Sequence, residues 1–206
     1  GLTYAAFGPG WCFTLNALSF VAVIGALAAM RLAPRAPRAE GGSAVEELRE
    51  GVRYVATHPQ LRALILITAV TSLFGMSFAT LVPAWAVRIL HGDATTNGLL
   101  QSARGVGALA SALLIASRAQ RWVRGRALGI GLVAFPAALI GFAALRRLGS
   151  ALALLVAAGA ALILIFNLVN TMVQALASDR LRGRVMSLYS LSFLGVAPVG
   201  ALLAGA

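Results

Sequence analysis

Long apolar runs separated by short polar segments dominate the chain. A helix needs about 20 mostly apolar residues, each rising 1.5 Å, to cross a bilayer. Runs of this kind lie near Trp11 to Met30, Leu61 to Ala86, Asn97 to Ala116, Ala127 to Leu145 and Ala151 to Gln174, with a shorter one from Val185 to the end. Polar and apolar residues do not alternate as in barrel strands. The pattern predicts an all-α, polytopic transmembrane helix bundle, with five complete helices, one partial helix and a stub before a break at Gly8-Pro9-Gly10.

Arginine is concentrated in alternate polar segments. Thirteen of the 17 basic residues, all arginine, form one set: Arg31, Arg35, Arg38, Arg49, Arg53, Arg62, Arg118, Arg121, Arg124, Arg126, Arg180, Arg182 and Arg184. The opposite segments carry only Arg88, Arg146 and Arg147. Because basic residues accumulate in cytoplasmic loops, this bias places the first set in the cytoplasm. Arginine without lysine is typical of a GC-rich genome, so we expect a multi-pass protein of a bacterial plasma (inner) membrane.

The composition argues against a soluble, metal-binding or enzymatic protein. Hydrophobic residues make up 60% of the 206 positions and charged residues 11%. The net charge is +11, and the basic residues responsible for it lie in short segments between the apolar runs, which indicates membrane topology rather than nucleic-acid binding. Cys12 has no second cysteine, and His58 and His91 fall on opposite predicted sides. The spans contain no acidic residue, and the chain has no glycine-rich phosphate loop. We therefore expect no catalytic residues, no metal and no cofactor.

The one long connection, residues 31–62, contains a helical pattern. Ser43-Ala44-Val45-Glu46 has the form of a capping box, and Pro59 blocks continuation of the helix. Apolar residues recur between them at helical spacing, at Val45, Leu48, Val52 and Val55. This predicts a short amphipathic helix on the inner membrane surface or against the cytoplasmic ends of the bundle. It acts either as a hinge between two halves or as a solvated loop helix.

Polar side chains inside the predicted spans are the candidate substrate-contacting residues. Thr68, Thr71 and Ser72 cluster in the second span, and the fifth carries Asn167, Asn170, Thr171 and Gln174 at helical spacing. Amides persist in hydrocarbon only where they find partners or water. These residues therefore either line a cavity or form hydrogen bonds between helices.

Arg104 is the one charged residue inside a span. A bare arginine there costs about 2.5–3.5 kcal/mol on insertion scales, so its charge needs compensation. The same helical face carries Asn97, Gln101 and Ser111, whereas other faces carry Leu99, Val106, Leu109 and Leu113. Arg104 and Gln101 are therefore predicted to face a polar interior. The alternative is that Arg104 extends outward to the lipid headgroups.

Small residues and prolines suggest how the helices pack. Seven glycines are predicted to allow close helix approach: Gly105, Gly107, Gly129, Gly131, Gly195, Gly200 and Gly205. Pro136 and Pro198 should kink their helices.

Three segments carry a resemblance to a known family. They are Gly8-Pro9-Gly10-Trp11 through Asn16-Ala17-Leu18-Ser19-Phe20, Tyr54 through His58-Pro59-Gln60-Leu61-Arg62, and Asp179-Arg180-Leu181-Arg182-Gly183-Arg184-Val185-Met186-Ser187. With the long central loop, they resemble the major facilitator superfamily, in the branch of siderophore exporters and drug efflux proteins. One loop, Ser117 to Arg126, keeps the arginines of the superfamily signature but lacks its acidic residue. Gly1 in place of Met and the apolar run at the end indicate an interior fragment of such a transporter.

The resemblance implies an organisation and an activity. Residues 1–30 would end the N-terminal half, 31–62 would be the interdomain linker, and 63–206 would hold helices seven to eleven of the C-terminal half. The implied function is secondary active transport, with efflux of a small molecule by alternating access and a coupling ion such as a proton. Asp179, Arg180, Arg182 and Arg184 are candidates for a cytoplasmic gate. The alternative is a non-transporting scaffold, or a permease subunit coupled to a separate ATPase that docks on the amphipathic helix.

Overall fold

The computed structural model describes residues 2–30, 44–118 and 124–205, and every regular element in these ranges is helical. The predicted all-α class is thereby confirmed. The chain divides into two compact units, residues 1–41 and 42–206. The finer division at residues 30 and 62 stays a prediction.

The first unit is built around helix α1 (Leu2–Ala29). Its backbone leaves helical geometry at Gly8, where φ is 77° and ψ is 176°. Glycine adopts a positive φ without the steric cost that a Cβ imposes. The break predicted at Gly8-Pro9-Gly10 therefore occurs, and it separates a short N-terminal segment from the first long apolar helix.

The second unit contains the remaining seven α-helices of the described ranges. They are α2 (Ala44–Thr57), α3 (Pro59–Arg88), α4 (Ala94–Arg118), α5 (Arg124–Ala144), α6 (Leu148–Leu176), α7 (Arg182–Ser190) and α8 (Ala197–Gly205). With α7 and α8 taken as one continuous stretch, the described residues hold six helices long and apolar enough to cross a membrane. This matches the number of spans predicted from the sequence.

Two prolines mark interruptions of the helices, as predicted. Pro59 is the first residue of α3, and only His58 separates it from the end of α2. The last span is interrupted in the turn before Pro198, by a π-helical turn at Leu191–Gly195. Pro198 has no N–H to bond the carbonyl of Leu194, four residues back in that turn, and its ring crowds that carbonyl. The interruption expected at Pro198 therefore occurs, in the turn that precedes it. Helix α5 continues through Pro136.

Helix α6 lies at the centre of the unit, against α4 and α5, while α8 packs on α3. One apolar core joins α3, α5, α6 and α7 through residues such as Ile165 and Val185, and a second joins α3, α4, α5 and α6 around Leu100 and Leu155. These cores hold α3, α4 and α6 together along the bundle, which places their polar faces side by side.

Glycines allow the closest helix contacts. A Cβ on Gly107 would collide with the carbonyl of Val156, and one on Gly159 with the carbonyl of Arg104. A Cβ on Gly200 would collide with the carbonyl of Leu73. Gly131 also packs closely, against Ile165. A Cβ on Gly105, Gly129 or Gly205 would meet open space. A Cβ on Gly195 would meet only the side chain of Leu191 in its own turn. The prediction of close helix approach was therefore wrong at these four positions.

Candidate functional site

A cavity of about 470 Å³ opens between α3, α4, α6 and the π-helical turn with α8. Four of the predicted polar residues line it: Thr71, Ser72, Gln101 and Arg104. The volume lies in the range of pockets for small molecules, about 300–1,000 Å³. The structure thus gathers polar residues from two helices that are separated along the chain into one concave surface.

Arg104 supplies the charge of this cavity. Within the described residues it forms no salt bridge, and no acidic residue lines the cavity. Leu99, Val106 and Leu109, on other faces of α4, are exposed on the bundle surface. Arg104 lies on the cavity wall with Gln101 one turn away, and the polar interior expected for them stays a prediction.

The backbone of Arg104 rests on α6. Gly159 leaves room for the Arg104 carbonyl, since any Cβ at that position would overlap it. Gly105, the next residue of α4, has open space and lines the cavity. The sequence singled out Gly105 and Gly107 but missed Gly159, although it is a glycine in an apolar span like the others.

The hydroxyls of α3 connect the cavity to the last span. Ser72 is 2% exposed, and its Oγ donates a hydrogen bond of 2.5 Å to the carbonyl oxygen of Phe193 in the π-helical turn. Further along, Ser77 Oγ lies 2.6 Å from the carbonyl oxygen of Gly200 and 2.7 Å from that of Leu73. A π-helical turn disturbs the regular hydrogen bonds of a helix, and such turns are frequent at functional sites. Ser72 supplies a donor to one carbonyl of that turn.

An aromatic pair forms the apolar part of the cavity wall. Phe166 of α6 and Phe193 meet edge to face, with ring centroids 4.7 Å apart and an interplanar angle of 80°. Aromatic pairs prefer this geometry because the positive ring edge meets the negative ring face. The cavity therefore offers a cation and amide at α4 and an aromatic surface at α6 and the last span. No sequence pattern distinguished these two phenylalanines from the other seven.

Other candidate residues lie outside this cavity wall. Thr68 is fully buried, and its hydroxyl donates to the Leu64 carbonyl of its own helix at 3.0 Å. Asn167 is exposed and donates to the Ile163 carbonyl at 3.3 Å. Gln174 Nε2 donates to Asn170 Oδ1, also within α6. The hydrogen bonds of Asn167 and Gln174 therefore run along their own helix, whereas Asn170 also contacts the Tyr189 hydroxyl of α7.

A second polar cluster joins α2 to the start of α7, at the predicted cytoplasmic end. Arg184 forms ion pairs with both Glu47, at 3.4 Å, and Glu50, and Arg180 Nη2 lies 3.1 Å from Glu50 Oε1. Asp179 instead pairs with Arg182 at 2.7 Å, and its side chain is 89% exposed. Arg180 and Arg184 thus bind carboxylates of α2, which the sequence had not selected.

Close packing accompanies these ion pairs. A Cβ on Gly51 would lie 3.2 Å from the Cβ of Arg184, so α2 and α7 nearly touch there. The backbone N–H of Ser178 donates to the Tyr54 hydroxyl at 3.4 Å, and Val55 is buried in the core. Helix α2 therefore packs firmly against α7 and the core of the second unit.

The apolar stripe of α2 is not the face that docks on α7. Of its four apolar residues, only Val55 is buried, while Val45, Leu48 and Val52 are 48–72% exposed. Packing through Gly51 and ion pairing through Glu47 and Glu50 determine which face meets α7. The proposed capping serine, Ser43, lies outside the described residues.

In the described part of the chain, no group of three or more His, Cys, Asp or Glu residues could hold a metal ion.

Comparison with known proteins identifies the family. Searches of curated proteins and of solved structures found no match. The narrower resemblance to siderophore exporters and drug efflux proteins stays a prediction. The profile of a family described as transmembrane secretion effectors matches residues 1–206, so the chain belongs to this family of major facilitator superfamily transporters.

Proposed function

We propose that this chain is part of a secondary active transporter that exports a small molecule, and that the cavity around Arg104 forms part of its substrate site. The observation that carries this proposal is an arginine on the wall of a cavity of about 470 Å³ that no acidic residue lines. A charge in a membrane-spanning helix is expensive and marks a substrate or ion pathway when it faces a cavity. Arg104 has the placement expected of such a residue.

The partner of Arg104 is an anionic group of the substrate or a carboxylate elsewhere in the full-length protein. Guanidinium groups bind carboxylate and phosphate in a bidentate manner, and Gln101 offers an amide beside it. Phe166 and Phe193 would contact the apolar body of the same ligand. This arrangement favours a small amphipathic molecule over a bare inorganic ion.

Export would proceed by alternating access, and the α2–α7 cluster is the proposed cytoplasmic gate region. Arg180 and Arg184 hold the start of α7 to Glu47 and Glu50. Asp179 and Arg182 form a separate, exposed pair. A change of state that moves α7 would therefore have to move α2 with it or break these ion pairs.

Energy would come from an ion gradient, with a proton as the candidate coupling ion, across a bacterial plasma membrane. The alternative is a scaffold or a permease subunit driven by a separate ATPase. Transport by the purified protein in proteoliposomes, driven by an imposed proton gradient without ATP, distinguishes them. Dependence on an added ATPase would contradict our proposal.

The decisive variants are Arg104→Gln and Arg104→Lys in the full-length transporter. We expect Gln to reduce transport at least tenfold, as the loss of a charged hydrogen bond of about 1.5–3 kcal/mol implies, and Lys to restore part of it. Arg146→Gln, which removes an exposed arginine between α5 and α6, is the matched control. Full activity of Arg104→Gln at normal membrane level would show that the cavity charge has no role in transport.

A further inference from the structure

Helix α2 has a second face that the bundle does not cover. Residues four apart on a helix lie along one stripe. The stripe with Glu47, Gly51 and Val55 meets α7 and the core, as described above. The adjacent stripe, with Leu48, Val52 and Ala56, is exposed. Next to it lies a stripe with Arg49 and Arg53.

Charge accompanies this apolar stripe on its outer edge. Arg49 and Arg53 are exposed, and neither forms a salt bridge within the described residues. Glu47 and Glu50 are turned toward α7, where they pair with Arg184. The exposed side of α2 is therefore apolar along one line, with Arg49, Arg53 and Glu46 beyond it, and carries a net positive charge.

The end of α2 lies next to the start of a membrane-spanning helix. Helix α2 ends at Thr57, and the membrane-spanning helix α3 begins at Pro59. The predicted topology puts this end of α3 in the cytoplasm. An amphipathic helix with basic residues beside its apolar stripe lies in the headgroup region, with apolar side chains about 5–10 Å deep.

We propose that the Leu48–Val52–Ala56 stripe of α2 binds the anionic lipid surface of the inner leaflet, with Arg49 and Arg53 contacting lipid phosphates. Helix α2 then links two surfaces, because its other face holds Arg184 of α7. Lipid charge would thereby influence the position of the start of the last span. The proposal does not depend on which substrate the protein carries or on transport itself.

A spin label on Val52 tests the proposal in the full-length protein. Cys12 is replaced by alanine, and Val52→Cys is labelled and reconstituted into vesicles of neutral phosphatidylcholine, with or without anionic phosphatidylglycerol. Collisions with oxygen, which partitions into lipid, are compared with collisions with a water-soluble nickel chelate. We expect collisions of the label with oxygen to dominate in the anionic vesicles. High salt should make collisions with the nickel chelate dominate instead. A label on Thr57, on another side of the helix, should remain accessible to the nickel chelate.

Variants of the two arginines test whether the contact with lipid depends on their charge. Arg49→Gln with Arg53→Gln should shift the label from lipid toward water about 30-fold, which corresponds to about 1 kcal/mol per basic residue near an anionic surface. Arg146→Gln with Arg147→Gln, an exposed pair at the opposite end of the bundle, should leave the label unchanged. A Val52 label that collides mainly with the nickel chelate in anionic vesicles would overturn the proposal. A label shielded from both reagents would also overturn it, because a protein surface would then cover the stripe.

Discussion

Arg104 and Arg184 lie in the same helical unit but in opposite electrostatic surroundings. Arg184 pairs with Glu47 and Glu50, and its side chain is 22% exposed. Arg104 lines a cavity and forms no salt bridge within the described residues. Because desolvated charges are retained when they are paired, the surroundings of Arg184 are complete within this chain, whereas those of Arg104 require a further partner.

The two regions are also held together by different forces. Ion pairs and the Gly51 contact fix α2 to α7. Around Arg104 the helices are fixed by backbone packing, since Gly159 admits the Arg104 carbonyl. A site whose charge must be available to a ligand cannot use that charge for its own stability. Packing at a glycine positions Arg104 without neutralising it.

Gly159→Ala should give the largest effect on stability. The added Cβ would meet the Arg104 carbonyl, which is backbone and cannot rotate away, so α4 and α6 must separate. Overpacking of this kind costs about 1–3 kcal/mol. We expect the free energy of unfolding in mixed micelles to fall by that amount, and transport to fall with it.

Gly149→Ala is the matched control for this substitution, because it lies in the same helix and has open space around it. It should be neutral or stabilise slightly, by up to about 1 kcal/mol. Equal losses from both substitutions would mean that glycine flexibility, rather than the contact at Arg104, determines the effect.

The sequence predicted the fold, and the proximity of Gln101 to Arg104 on α4, because both follow from local periodicity. Apolar runs of bilayer length gave the six spans, and Gln101 lies one turn from Arg104 in any α-helix. Contacts between distant segments could not be predicted in this way. Glu47 meets Arg184 only because Gly51 lets α2 approach α7, and that contact spans more than 130 residues of chain.

The break in the last span combines a local and a distant cause. Proline is a local signal, and Pro198 indicated the interruption because it cannot bond the carbonyl four residues back. The form of the break, a π-helical turn at Leu191–Gly195, also involves Ser72 of α3, which donates to the carbonyl of Phe193. That partner comes from another helix, so no pattern within the last span predicts it.

Arg184→Gln should have the second largest effect. It removes the arginine that pairs with both Glu47 and Glu50, whose side chains are 32% and 40% exposed. We expect a loss of about 1 kcal/mol, the upper range for pairs with solvent contact, and faster hydrogen exchange in α2. Arg180→Gln, whose side chain is 82% exposed, should change stability by less than about 0.5 kcal/mol. If the amide hydrogens of α2 exchanged equally fast in both variants, the pairing of Arg184 with two carboxylates would not stabilise α2 more than the single pair of Arg180 does.

Asp179→Asn should have little effect on transport. The Asp179 carboxylate is 89% exposed and, among the residues that the structure describes, pairs only with Arg182 three residues away, so screening by water leaves the pair weak. Glu50→Gln is the informative comparison, because Glu50 contacts both Arg180 and Arg184. Initial transport rates at matched membrane levels measure the difference. A larger loss from Asp179→Asn than from Glu50→Gln would place the gate at the exposed pair instead.

The smallest effect is expected at Asp93, at the opposite end of α4 from its arginine-rich terminus. Asp93 precedes α4, and its Oδ1 accepts hydrogen bonds from the Thr96 backbone N–H at 2.9 Å and from the Thr96 hydroxyl at 3.2 Å. The backbone hydrogen bond holds the pKa of Asp93 below its usual range. A lowered pKa in the folded state means that the carboxylate contributes stability above the unfolded-state pKa and loses it as pH falls through the folded-state value. The first turn of α4 should therefore be equally protected at neutral and mildly acidic pH and should loosen in stronger acid.

Hydrogen exchange at the Thr96 amide, corrected for its intrinsic pH dependence, measures this loosening. Asn caps helices about as well as Asp but does not titrate in this range, so Asp93→Asn should keep the protection and remove its dependence on pH. Asp93→Ala should lose protection at every pH, because it offers no acceptor. Acid sensitivity of Asp93→Asn equal to that of the natural protein would assign the effect to another group. Since Asp93 carries its charge in water and Arg104 in a cavity, none of these variants should change transport as Arg104→Gln does.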